Sequence, residues 1–471
     1  IDDLSNEFKL PLFVTATCEF GRNDDPAIVS GAEKIMLKKD GGAIALITTA
    51  RPVFSSSNYT LNEALYETVL QKENGLYPRL GDVISYTKNN SLNGSSNRNF
   101  ILLGDPSMRL AYPSKEIVIQ SINGENITSG VLDTLRALEK VEISGQIEIE
   151  GLKDESFNGT VSLVLKDKKT VSQTFGTDSP IFEFEESTNV LFNGTATINN
   201  GAFFIDFVVP RNIQYNWGTG KIIMYAIPNE GLIDALGVKN DILIGGTFEL
   251  SSQDNTAPVI IPYLNDTLSS LPIHVKSDAT LLVKISDENG INISESGVGQ
   301  EITAVLNDSA LYNLNSYFIT NENDFSEGWV NFPLRNLPLG ENKIVIKAWD
   351  NYNNSQITAL EFIVNDDNST LITNISNYPN PLVHNTTFSI AHNSAGEHLE
   401  LAVEIFNIKG EKITSLYEEI NVARSIEEIN WNGTNFEGAR LSKGLYIYNV
   451  VLRTIGSDRS DSKRQKLIIS N

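Results

Sequence analysis

The sequence predicts a multidomain chain of mixed class: half of an α/β domain at the N-terminus, followed by three all-β modules. Three observations carry this. Up to about residue 113, apolar β-branched runs alternate with amphipathic helical patterns. Beyond Tyr112-Pro113 the pattern changes to period-two strands separated by turn residues. The 471 residues also exceed what one core fills. Polar joints place the boundaries at 1–113, 114–254, 255–367 and 368–471.

The first element is Leu12-Phe13-Val14-Thr15-Ala16-Thr17, read as a buried parallel strand that delivers Cys18 to the C-terminal edge of a sheet. Asp25-Pro26 reads as a helix start, with Ile28, Ala32, Ile35 and Met36 on one face and Gly41-Gly42 as the stop. Gly42 to Thr49 is a second buried strand, and Thr48 to Asn58 is a loop at the same edge as Cys18 if the two strands run parallel. Leu61, Leu65 and Val69 mark another helix, as do Leu80, Val83 and Ile84. Phe100 to Leu103 is a short strand closed by Gly104-Asp105-Pro106. Open α/β sheets carry their working residues at the strands' C-terminal edge.

In 114–254 the strands Glu116–Ile119, Val141–Gly145, Thr160–Leu165 and Ala202–Val208 indicate an antiparallel β-sandwich. Asn255-Thr256-Ala257-Pro258 is a linker into the next module, whose clearest strands are Ala279–Ile285 and Lys343–Asp350. Asn365-Asp366-Asp367-Asn368 reads as a solvated joint without the spacing of a calcium loop. The last module ends in Lys466–Ile469.

The formal charge of −23 argues against nucleic-acid binding through phosphates. No segment approaches the roughly 18 uninterrupted apolar residues of a spanning helix. A large acidic, cysteine-poor β-protein suits a bacterial secreted or surface protein. Ile1-Asp2-Asp3-Leu4 reads as a position inside a domain, so an upstream portion is expected. No metal-ligand spacing and no phosphate-cradling glycine loop is present, so neither metal nor cofactor is expected.

Cys18 is the only cysteine and so has no disulfide partner within the chain; it is either a packed thiol or a nucleophile. Its place at a strand end favours the nucleophile. A thiol attacks a carbonyl as thiolate and needs a base to become one. The four histidines, His274, His384, His392 and His398, all lie in the β-modules and read as solvated or turn residues. The backbone N–H of Cys18 is a plausible oxyanion donor. Glu19 reads either as orienting a base or as a surface ion-pair partner. Thr48, Thr49, Ala50 and Arg51 read as pocket lining or as an ordinary strand end and loop. Arg22 pairs with Asp24 or Asp25 or binds a substrate carboxylate, and Asp105 stabilises its own turn.

Two stretches go beyond pattern. Thr15 to Pro26, followed by Gly41 to Thr49 and closed by Leu103-Gly104-Asp105-Pro106-Ser107, resembles the second half of the gingipain-type cysteine peptidase domain. The resemblance is strongest to that family's C-terminal signal peptidases, the sortases of type IX secretion. It implies a caspase-like α/β fold, Cys18 as catalytic nucleophile, and a base in a His-Gly pair upstream of Ile1. The fragment alone is then expected to be inactive. Tyr378-Pro379-Asn380-Pro381, Ile405-Phe406-Asn407 with Gly410, Trp431-Asn432-Gly433, Gly438 and Gly444-Leu445-Tyr446 resemble the Ig-like sorting domain of type IX substrates. Here the Tyr-Pro-Asn-Pro run reads as a rigid extended entry.

Together the resemblances imply a cell-surface endopeptidase and transpeptidase with Ig-like modules. It would remove C-terminal sorting domains from secreted proteins and pass the product to anionic lipopolysaccharide. It would be held at the outer membrane by a β-barrel partner of the PorV type. Two other readings remain: a secreted gingipain-like protease digesting external proteins, and a non-catalytic surface scaffold or adhesin with a decayed peptidase fold.

Overall fold

The computed structural model describes the chain except residues 2–3, 74, 128–132, 178–179, 250–253, 268–272, 298, 366–370, 395–396, 423, 457–458 and 471. The predicted joint at Asp366-Asp367-Asn368 and the start at Asp2-Asp3 lie outside the described residues. Two compact units result, Ile1–Pro113 and Ser114–Asn471.

In the first unit, β1 (Leu12–Val14) pairs in parallel with β2 (Ala45–Thr49), and β2 pairs antiparallel with β3 (Phe100–Leu103). Strand alternation sends Leu46, Phe13 and Leu103 to one face, where α1 (Gly31–Met36) adds Ala32 and Ile35. Ile47, Leu12, Val14 and Leu102 face the other way, onto Leu65 and Val69 of α2 (Ser55–Val69) and Val83 of α3 (Leu80–Ser91). Helices on both faces explain why β2 is buried at every position. β1 is half-buried, not buried as expected, and stands at one end of the sheet order. The short helix α4 (Ser95–Arg98) leads into β3.

The first helix starts later than Asp25-Pro26. Ser30 is its N-cap, in a capping box with Glu33 that satisfies two otherwise orphaned N–H groups. The Ser30 N–H and the Ser30 hydroxyl both donate to the Glu33 carboxylate, which pulls its pKa below the ordinary range. Asp25 instead accepts the Ala27 N–H in a turn, and the helix ends at Met36, before Gly41-Gly42. At the closing turn, Asp105 accepts the N–H and hydroxyl of Ser107, as expected.

The second unit holds three separate apolar cores, drawn from residues 117–244, 260–364 and 371–469. The first is enclosed by one ten-stranded sheet, not by two facing ones. Its order runs from Val190–Ile198 through Gly159–Lys166, Gly218–Pro228, Ala235–Thr247, Lys115–Ile122 and Lys140–Ile149 to Ala202–Val208. A tight turn at Asn199 to Ala202 joins the two end strands. The thirteen residues of Ala235–Thr247 are long enough to pair at one end with Lys115–Ile122 and at the other with Asp133–Ala137. Both pairings are parallel, a departure from the antiparallel reading.

The second core lies between a four-stranded and a five-stranded sheet, the third between a three-stranded and a four-stranded sheet. The Tyr378-Pro379-Asn380-Pro381 entry is bent, with both prolyl bonds cis. Asn380 fixes it by accepting the Ile468 N–H and donating to Lys466 O. Trp431 is buried, its indole N–H on Thr434 O at the turn. No described helix is long and apolar enough to cross a membrane.

Candidate active site around Cys18

Cys18 sits four residues past β1, beyond the C-terminal ends of the parallel pair, and is exposed. The turn that presents it hangs on β2. The Thr15 N–H extends the ladder to Ile47 O (3.0 Å), and the Thr15 hydroxyl donates to that of Thr48 (2.7 Å). The Thr49 hydroxyl donates to Thr17 O (2.6 Å) and accepts the Glu19 N–H (3.0 Å), bracketing the cysteine. The Gly21 N–H closes the turn on Thr49 O (2.9 Å). Glu19 takes a left-handed conformation (φ 58°), which costs a non-glycine residue energy and persists because both sides are pinned. Gly21 is required by space: a Cβ there would lie 2.2 Å from the Thr48 methyl.

Thr48 and Thr49 are therefore fully buried supports of the turn, and not side chains open to a ligand. Strand β2 runs through both of them and α2 begins at Ser55, so the loop expected over Thr48 to Asn58 is confined to residues 50–54. Val53 O faces the thiol and accepts the Cys18 S–H at 3.2 Å. Asn99 holds this loop from below, its O accepting the Ala50 N–H and its amide donating to Pro52 O. Ala50 and Arg51 are half-buried, and Arg51 pairs with Asp24.

Arg22 is committed to Glu19 (3.3 Å) and Asp25 (3.0 Å), so of the sequence's readings for Glu19 and Arg22 the ion-pair ones describe this structure. Among the described residues nothing accepts the backbone N–H of Cys18, whereas that of Glu19 is spent on Thr49. The free amide beside an exposed thiol is the geometry an oxyanion donor needs.

No histidine occurs in residues 1–113. In the second unit, His274 contacts the Asn365 amide and His398 pairs with Glu419. His392 contradicts the solvated reading: it is 1% exposed, and burial pushes its pKa down to about 4. Sequence reasoning also missed the roles of Thr15, Gly21, Val53 and Asn99. Only Gly21, a glycine just past a strand end, carried a signal.

Fold and site define an α/β segment that presents an exposed thiol beyond the ends of a parallel strand pair. Residues 1–111 match the model of peptidase family C25, in line with the resemblance read from residues 15–49 and 103–107. Among solved structures the chain is similar to dimeric latent PorU from Porphyromonas gingivalis, at 27% identity and a TM-score of 0.38. That match covers 92% of this chain and 42% of that one. It is also similar to the complex of RgpB pro- and mature domains from the same organism, at 14% identity and a TM-score of 0.22, covering 51% and 48% of the two chains. No curated protein sequence matches.

Proposed function

We propose that this chain is part of a cell-surface cysteine endopeptidase and transpeptidase of the PorU type, with Cys18 as nucleophile. The observation that carries the reading is the exposed Cys18 thiol, held on a pinned turn with a free backbone N–H, inside the segment that matches peptidase family C25. In this reading residues 1–113 are the C-terminal part of a caspase-like domain, and 114–254, 255–367 and 368–471 are Ig-like modules. The three separate cores support that division.

The thiolate attacks the carbonyl carbon at the junction of a client's C-terminal sorting domain. The oxyanion that forms points at the Cys18 N–H. The C–N bond breaks, and the sorting domain leaves as an amine that takes up the proton held by the base. That base is a histidine outside this chain. The Cys18 thioester is then attacked by an amine on anionic lipopolysaccharide, which releases the thiol and leaves the client joined by an amide bond. The module at 368–471 docks to a β-barrel of the PorV type and keeps the enzyme at the outer membrane.

The test is Cys18→Ala in the complete gene in its own host, read by intact mass of the secreted proteins. Clients that retain their C-terminal domains are the expected result. Normal client processing with reduced external proteolysis favours the secreted-protease reading, and no change in either favours the scaffold.

A further inference from the structure

Three carboxylates distant in sequence converge in the second unit, where the linker enters the second core's sheets. Asp254 lies in the segment leading to the strand Val259–Leu264, Asp287 follows the strand Ala279–Ser286, and Asp350 follows the strand Gly340–Trp349. One oxygen from each lies within 4.8 Å of the others. Asp350 is 0% exposed and Asp287 7%. None of the three pairs with a lysine or arginine among the described residues. Their hydrogen bonds come from neutral groups: the N–H of Thr256 and the Asn289 amide to Asp254, the Asn289 N–H to Asp287, and Tyr352 and Asn354 to Asp350. Buried carboxylates without a countercharge are costly.

A second observation is independent of the carboxylates. Asn351 is 4% exposed, and its amide nitrogen donates to Asn289 O (2.8 Å), in the turn that carries Asp287, and to Val208 O (3.0 Å). Its side-chain oxygen has no hydrogen-bond partner. Leaving such an oxygen unmatched in the interior costs about 1–3 kcal/mol. The unspent oxygen of Asn351, the residue that follows Asp350, adds one more hard oxygen to those of the carboxylates.

We propose that Asp254, Asp287, Asp350 and the Asn351 side-chain oxygen bind a calcium ion. Calcium takes oxygen ligands at about 2.3–2.6 Å in a flexible shell, so its ligand oxygens can lie up to about 5 Å apart; magnesium requires a tighter octahedron. The ion would tie the linker at Asp254 to the turns after two strands of the second core. Through Asn351 it would also tie them to the end of the strand Ala202–Val208 of the first core. The site is independent of the chemistry at Cys18.

The test is calorimetric titration of the EDTA-treated full chain with calcium chloride at pH 7.5, with thermal unfolding alongside. One saturable site is expected, with a melting temperature that climbs with the logarithm of calcium concentration and a weaker response to magnesium. Asp287→Asn should weaken calcium binding at least tenfold while the apo protein still unfolds cooperatively, and Asn351→Ala should weaken it less. Should Asp350→Asn fail to fold because its turn is lost, Asp287→Asn still decides. A wild-type chain that gives neither heat nor shift overturns the proposal. So does a calcium response that survives Asp287→Asn unchanged.

Discussion

At Cys18 the chain leaves its one thiol exposed, with Val53 O as hydrogen-bond acceptor and buried threonines behind it. Ellman's reagent should therefore titrate about one thiol per chain in native buffer, without denaturant. A thiol that reacts only after unfolding would contradict this environment. His392 is the opposite case, a titratable group sealed in the interior. Its Nδ1 accepts the Ser394 N–H, and its Nε2 has no partner among the described residues. The nearby charges of Asp266 and Glu397 favour the protonated ring, but burial outweighs them and sets the pKa to about 4. The unfolded ring takes up a proton near pH 6.5 and the folded ring near pH 4. Stability contributed by the neutral ring is present above pH 6.5 and is lost as pH falls toward 4. Between pH 7 and pH 5 this group should cost about 2 kcal/mol of unfolding free energy. Denaturant titrations of His392→Gln and the parent chain at both pH values check it: the variant should lose that part of the slope.

At the scale of elements, the first helix shows how local chemistry sets a boundary. Aspartate followed by proline is a good helix start, and Asp25-Pro26 offered one. Asp25 was instead taken up by Ala27 and Arg22, leaving Ser30 and Glu33 to cap the helix at Gly31. Ser30→Ala should cost about 1 kcal/mol. It should also raise hydrogen exchange at the amides of 31–36 more than at those of α2; uniform exchange across both helices would contradict the cap's role. The elements legible in the sequence were those with an unbroken period. Ala202–Val208 is observed with the limits its alternation gives, and the Leu61-Leu65-Val69 and Leu80-Val83 faces lie buried as expected. What was not legible depends on partners far along the chain. Thr48 and Thr49 look like a loop margin until the hydrogen bonds from residues 15–21 arrive. The Asp254, Asp287 and Asp350 carboxylates belong to three separate stretches with no common motif, and only the folded sheets gather them.

For the whole molecule, composition and periodicity were enough to separate an α/β unit from the β-rich remainder, and the observed division after Pro113 coincides with the change of pattern there. They did not show that residues 114–247 share one ten-stranded sheet, because which strands meet depends on the length of Ala235–Thr247 and on two parallel pairings. Within this unit many hydrogen bonds join the first and second cores, among them Asn189 to Ser296 and Asn193 to Phe318 O, while Ser425 to Asp266 and Lys276 to Glu397 join the second and third. The separateness of the three cores has a mechanical consequence. Cores threaded one after another on a single chain are loaded in series, so tension between the two ends of the chain acts on each in full. The least resistant gives way first, its released length lowers the load, and the others stay folded. Pulled from its ends, this protein should lengthen in discrete steps instead of failing at once.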